Sequence, residues 1–179
     1  MIKKYVSNLS VIGIRKLCRN LEDYKRELPN KVARALDILA DKGITVAKDV
    51  SAGSGTFGKC VEFEKTVPQI EGNEVFAIMR GIDLGAIMSW QQADGTTKSA
   101  TVNALLMLEF GSGKYADEEH RGTFPDSTHS FDTEGWYFKP VGSNQWVHSF
   151  GYKPKQPMLK AFEEMEEEIE NAFEEAFRF

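Results

Sequence analysis

Apolar residues recur at steps of three and four through the first fifty positions of the chain, with one longer gap after Leu39. This spacing predicts a helix, because residues three and four apart share one helical face. Pro29 interrupts the stripe, and a proline inside a helix removes a hydrogen bond and clashes with the preceding turn. The pattern therefore predicts one helix near residues 11–27 and a longer one from about residue 30 to residue 50, meeting at a kink.

Alternation of apolar and polar residues replaces this stripe in the next part of the chain. Three segments show the pattern of half-buried strands: Cys60–Val67, Glu74–Arg80 and Gly85–Gln92. Pro68–Asn73 predicts a turn, and Asp94-Gly95 is a further turn signal. Asn103–Phe110 fits either a short helix or a buried strand, because periodicity cannot decide for so short an apolar run.

Residues 111–155 have no helical pattern, and a stretch of this length is usually functional or mobile. Within it, Trp136-Tyr-Phe138 and Gln145-Trp-Val-His148 flank a turn and predict an aromatic hairpin. The last helix begins near Pro157. Its spacing predicts one buried face made of Met158, Phe162, Met165, Ile169, Phe173 and Phe177.

Charge is distributed unevenly along a chain whose net charge is −5. From Pro157 to Phe179, eight glutamates against Lys160 and Arg178 give −6, so the other 156 residues sum to +1. A protein that binds DNA phosphates usually has a basic face, and the sequence shows none.

The composition, 41% hydrophobic and 27% charged, is that of one globular domain. No apolar stretch approaches the ~20 residues that a membrane span needs.

One glycine-rich segment, Gly53–Lys59, matches the G-x-x-x-x-G-K pattern of a phosphate-binding loop. Cys60 follows it where a magnesium-binding hydroxyl is required. The predicted order, helix before and strand after, is also the reverse of a phosphate site at a helix N-terminus. The segment therefore predicts a flexible connection.

Cys18 and Cys60 lack CxxC spacing, which favours reduced thiols in a cytoplasmic product.

A second group of polar residues could supply metal ligands, since nitrogen and carboxylate donors suit zinc or manganese. Its members are Asp117, Glu118, Glu119, His120, His129, Asp132 and His148. Their spacing matches no known site, so a solvated loop is the favoured interpretation and no catalytic, cofactor-binding or metal residue is assigned. A small metal-dependent hydrolase that uses this loop is the alternative hypothesis.

Glu109 stands out because a carboxylate within an apolar run is costly unless it is paired. It could bond a basic residue or the backbone N–H groups of the following glycine turn, or lie on an exposed edge.

The rings of Trp136, Tyr137, Phe138 and Trp146 could form a small core of their own. They could equally face another subunit, because aromatic residues are enriched at interfaces.

Three motifs occur in order: an apolar run ending in Glu109-Phe-Gly-Ser-Gly113, the aromatic hairpin, and the helix start Gln156-Pro-Met-Leu-Lys-Ala161. With the N-terminal Val11-Ile-Gly-Ile-Arg-Lys-Leu17 and long helix, this order resembles the tail-completion, or head–tail joining, proteins of long-tailed phages and prophages. The chain departs from that pattern at Gly53–Lys59, where the family has a Thr-Gly-x-Leu step.

The resemblance implies one tail-completion-like domain over residues 1–179, with a loop and hairpin at 111–155. It implies an α+β fold in which N-terminal helices and a C-terminal helix cover a small antiparallel sheet, and it favours a helix for Asn103–Phe110. The implied function is structural and non-enzymatic: a virion ring at the head–tail junction or tail end, with six as the expected copy number. A head-closure protein, another neck component, is a further alternative.

The partners implied are other copies of the chain, the tail tube protein and a head-closure or connector protein. DNA would only pass through the lumen, and no membrane or cofactor is involved. The expected location is the virion neck or tail, after assembly in the bacterial cytoplasm. The candidate interface residues are Trp136, Tyr137, Phe138, Trp146, Glu109 and Phe110.

Overall fold

A helix of 42 residues, α1 (Val11–Ala52), is the longest element of the computed structural model, which describes residues 10–92, 94–116 and 133–178. Ser10 begins the helix by accepting a hydrogen bond from the Gly13 N–H through its side chain, at 3.1 Å. This serine provides the N-cap that the first turn requires. The second half of α1 lies against the C-terminal helices and the first strands, so it organises the core.

Pro29 lies inside α1 without ending it, so the prediction of two separate helices is wrong. The missing N–H of Pro29 leaves the Lys25 carbonyl without its helical partner. Lys25 is exposed, so water can solvate that carbonyl. The helix therefore continues past Pro29, although a proline within a helical pattern usually predicts a helix end.

Three small antiparallel sheets follow α1 and the short helix α2 (Gly55–Gly58). The first pairs β1 with β4, the second pairs β2 with β3, and the third has the order β6-β5-β7-β8. The strands are β1 (Val61–Lys65), β2 (Gln69–Glu71), β3 (Glu74–Phe76), β4 (Met79–Asp83), β5 (Ala86–Gln91), β6 (Thr97–Val102), β7 (Trp136–Pro140) and β8 (Val147–Ser149).

Three details of these sheets differ from the prediction. The predicted strand Glu74–Arg80 is divided between β3 and β4, and β2 occupies part of the predicted turn Pro68–Asn73. Strand β6 was not predicted, because its polar sequence lacks a buried face. The predicted strands at Cys60–Val67 and Gly85–Gln92 and the aromatic hairpin are confirmed.

The helix alternative for the apolar run is also confirmed, as α3 (Ala104–Phe110). Two further helices, α4 (Pro157–Glu167) and α5 (Ile169–Ala176), end the described chain and pack on α1. The fold is therefore α+β, as predicted. Its main cluster joins α1, α2, β1, β5, α3 and α4 through Ala47, Phe57, Val61, Phe63, Ala86, Ala104, Met107, Leu108 and Ala161.

The buried face of the C-terminal helices differs in part from the predicted one. Besides Pro157 at the start of α4, the fully buried residues are alanines, Ala161, Ala172 and Ala176. Of the predicted face, Phe162 is 53% exposed and Ile169 is 48% exposed, whereas four residues are half-buried: Met158, Met165, Phe173 and Phe177. Alanines let the helix backbones approach closely. Gly43 in α1 has the same role, since a Cβ there would lie 2.8 Å from the Met165 sulfur. The face is thus rotated toward its small residues.

Candidate functional site

Glu109 ends α3 and binds the beginning of α4. One carboxylate oxygen accepts the Met158 N–H and the other accepts the Leu159 N–H, each at 3.0 Å. Helix α4 lacks a cap of its own, because Gln156 has a left-handed backbone and makes no side-chain capping bond. The negative charge of Glu109 satisfies these free N–H groups and complements the positive end of the helix dipole.

This contact decides between the alternatives left open by the sequence. Glu109 is half-buried and bonds backbone N–H groups, but those groups belong to α4 and not to the following glycine turn. It joins two segments that are 49 positions apart. The carboxylate is therefore an architectural element within the chain. Phe110, beside it, is half-buried.

The glycine turn after Glu109 lies against residues 150–152. The Ser112 N–H donates to the Tyr152 carbonyl and the Tyr152 N–H donates to the Ser112 hydroxyl, both at 2.9 Å. A Cβ on Gly111 would stand 2.7 Å from the Tyr152 carbonyl oxygen, and Gly111 has a φ of 73°. Only glycine allows this close approach with a positive φ. Glu109-Phe-Gly-Ser-Gly113 thus fastens both the hairpin exit and α4.

The aromatic hairpin presents its rings unequally. Tyr137 is 69% exposed and Trp146 is 53% exposed, whereas Phe138 is half-buried. Trp136 pairs through its backbone with Ser149, and its side chain is not among those that the structure describes. The ring of His148 lies between those of Tyr137 and Phe150, with centroids 4.4 Å from each. Exposed rings at Tyr137 and Trp146 keep both residues as interface candidates.

The hairpin is part of a four-stranded sheet that is exposed on both faces. Neighbouring residues of a strand point to opposite faces. Ile87 and Met88 are neighbours in β5 and both are exposed, Ile87 at 70%. Strand β6 is exposed throughout except for the half-buried Val102. This surface was not predicted, although two consecutive apolar residues in a short strand indicate exposure on both faces.

Three ion pairs link α1 to β1 and to the α4–α5 junction. Lys65 on β1 contacts Asp37 and Asp41 at 2.6 and 2.8 Å. Burial lowers the pKa of Lys65, but the bonds and charges of the two aspartates outweigh it and leave the pKa raised. Glu168, between α4 and α5, pairs with Lys42. The hydrogen bond from Lys42, followed by that from Asn171, lowers the pKa of Glu168.

The structure gives no chemical role to the glycine-rich segment or to the described candidate metal ligands. Gly53–Lys59 follows α1 and precedes β1, so the predicted order of helix, connection and strand is confirmed, although α2 forms a helical turn within it. Of the candidate metal ligands, residues 117–120, His129 and Asp132 lie outside the described residues. Within the described ranges, no three His, Cys, Asp or Glu side chains group as metal ligands.

Among residues 10–92, 94–116 and 133–178, no helix combines the length and the apolar character needed to cross a bilayer. Comparison of the chain with protein-family models, with curated protein sequences and with solved structures found no significant match.

Proposed function

We propose that this chain is a structural protein of a phage or prophage virion, which assembles as a ring at the head–tail junction or tail end. The proposal rests on the order of the three motifs that resemble tail-completion proteins. In the structure these motifs meet, because Glu109 binds the start of α4 and the glycine turn lies against the hairpin exit. The role of these motif residues would then be to position parts of the chain, with no turnover of substrate.

The observation that carries the proposal is the four-stranded sheet with two exposed faces. A sheet normally buries at least one face, since exposed apolar strands tend to pair with other chains. Here Ile87 and Met88 leave apolar side chains exposed on opposite faces of the sheet, and Tyr137 and the hairpin residue Trp146 are also exposed. Aromatic residues such as these two are enriched at protein–protein interfaces. We assign this sheet to contacts with neighbouring subunits, the tail tube protein or a head-closure or connector protein.

A ring also suits the distribution of charge. A closed ring needs heterologous contacts, in which one surface of a subunit meets a different surface of the next. Six copies around a lumen would let DNA pass without holding it, because an acidic wall repels phosphates and a neutral wall does not attract them. The net charge of −5 is consistent with that requirement. The protein would occupy the neck or tail of the virion after assembly in the host cytoplasm.

Two experiments test the proposal at different levels. Size-exclusion chromatography with light scattering, followed by negative-stain imaging, should reveal rings of the purified protein alone or with tail tube protein. Deletion of the gene from the phage or prophage should abolish infectious particles and leave unjoined heads and tails. Unchanged particle yield after deletion would refute the virion function.

A further inference from the structure

The first half of α1 extends beyond the core and carries an apolar stripe of its own. Buried residues of α1 begin only at Ala35. Residues 11–28, here called the α1 arm, correspond to about 27 Å of helix at 1.5 Å per residue. Along it, Val11, Ile14, Cys18, Leu21 and Leu28 are exposed at three-, four- and seven-residue steps. Such a stripe is typical of a helix that docks in a groove.

An apolar groove with a volume of about 370 Å³ lies between the second half of α1 and α4. Its lining includes Leu36 and Leu39 from α1, Met79 from β4, and Phe162 and Met165 from α4. This groove explains why Phe162 is exposed, since the ring lines an open channel and not a closed core.

The arm and the groove carry opposite charges. The arm has five basic residues and three acidic ones, a net charge of +2. Glu166 lines the groove on its α4 side, and residues 157–179, which include α4 and α5, hold eight glutamates against Lys160 and Arg178. Complementary charge of this kind favours an arm in the groove. It disfavours the pairing of two arms, because both would be positive.

The arm cannot reach the groove of its own subunit. Helix α1 is continuous from Val11 to Ala52, and Leu36 of this same helix lines the groove. Leu21 therefore lies about 22 Å away along the helix axis, at 1.5 Å per residue. An arm that fills the groove must therefore come from another molecule.

We propose that the α1 arm of one copy docks in the α1–α4 groove of the next copy. This contact is heterologous, because two different surfaces of the same chain meet, so it can be repeated around a ring. It rests on the proposed function only in taking the copies to form a ring. It adds the pair of surfaces that would close the ring and leaves the β5–β8 sheet available to other partners.

Reciprocal charge reversal tests this contact. An arm variant, Arg15→Glu/Arg19→Glu, and a groove variant, Glu163→Lys/Glu166→Lys, change only exposed side chains. Each variant alone should self-associate at least about tenfold more weakly in sedimentation velocity, a loss of about 1.4 kcal/mol. An equimolar mixture should recover association, because each arm then meets a groove of opposite charge. High salt should weaken the wild-type contact.

Matched controls carry the same charge changes elsewhere. Lys59→Glu/Lys153→Glu matches the arm variant, and Glu62→Lys/Glu71→Lys matches the groove variant; all four side chains are exposed and lie outside the arm, the groove and the four-stranded sheet. Both controls should associate as the wild type does. Normal self-association of the groove variant would overturn the proposal, and so would wild-type protein that stays monomeric throughout a concentration series. Gene deletion tests the virion function separately, so the two failures are distinguishable.

Cross-linking distinguishes contact between copies from contact within one. Cys18 lies on the arm and is exposed, so it serves as a natural probe. In a Cys60→Ala/Glu166→Cys variant, a flexible bismaleimide should join Cys18 of one copy to position 166 of the next and give a ladder of multimers. A Cys18→Ser version should lose the ladder. Cross-linked monomers without multimers would overturn the proposal.

Discussion

The α1–α4 layer and the β5–β8 sheet place large and small apolar residues in opposite ways. In the layer, alanines such as Ala35, Ala47 and Ala161 are fully buried, and Gly43 leaves room for the Met165 sulfur. In the sheet, large side chains such as Ile87 and Trp146 are exposed. Close helix packing therefore stabilises the subunit with small residues, while much of its large apolar surface stays available for contacts with other molecules.

The same contrast exists within single elements. Helix α1 has buried residues from Ala35 onward, whereas the apolar residues along the arm are exposed. In α4, Ala161 is buried, whereas Phe162 lines the groove and is exposed. Substitutions in the two regions should consequently separate stability from assembly. Core changes should lower the free energy of unfolding, whereas peripheral changes should leave it nearly constant and act on association.

The largest loss of stability is expected from Leu108→Ala. Leu108 is completely buried in α3, so truncation removes buried methyl groups and leaves a cavity, at a cost of about 2–5 kcal/mol. Leu21→Ala is the matched control, because it makes the same change at an exposed helical position and should stay within about 0.5 kcal/mol of the wild type. Urea unfolding measures both. Equal losses would contradict the contrast between core and arm.

Glu109→Ala should give an intermediate loss of about 1–2 kcal/mol, the range for removal of an N-cap side chain. Two backbone N–H groups of α4 would lose their charged acceptor. Hydrogen exchange at Met158 and Leu159 should also accelerate. Glu163→Ala, an exposed glutamate of the same helix, should change neither quantity. An unaffected exchange rate in Glu109→Ala would show that the cap does not stabilise α4.

The sequence predicts the α+β class, the first strand, the hairpin and the final helix because their patterns are local. It misplaces features that depend on the tertiary partner. Pro29 is tolerated inside α1 because the Lys25 carbonyl, which loses its helical partner, lies at an exposed position. Helix α4 buries its alanines because α1 packs closely against it. The acceptor role of Glu109 toward Met158 could not be read locally, since the two residues are 49 positions apart.

The candidate interface shows the same limit. Exposed Tyr137 and Trp146 were named from their composition alone, and the structure keeps both at the surface. Ile87, Met88 and the α1 arm were missed as surfaces, because amphipathic stripes predict burial without telling what covers them. Only the three-dimensional arrangement shows that no described element of the same chain covers the arm's stripe.

A smaller effect is expected from Glu168, which ties the α4–α5 junction to Lys42. Its pKa in the folded protein is lowered from the ordinary 4.5, chiefly by the Lys42 hydrogen bond. Stability from this contact is therefore present above pH 4.5 and is lost as the pH falls through the lower folded pKa. Glu168→Gln should flatten the stability profile below pH 4.5, whereas the exposed neighbour change Glu167→Gln should keep it. Urea unfolding at a series of acid pH values measures the slopes.

The smallest change in stability, within about 0.5 kcal/mol, is expected from Trp146→Ala, because the ring is exposed on the hairpin. Its effect on assembly should be large, since exposed aromatic anchors often contribute ~2 kcal/mol or more to an interface. In a complementation assay, the variant should fold normally yet leave unjoined heads and tails. Val67→Ala, at an exposed apolar position away from the hairpin, is the control and should support wild-type particle yield. If the Trp146→Ala variant folds normally and yields infectious particles at the parental level, the hairpin does not form the joining surface. The other strands of the sheet would then be the remaining candidates for that surface.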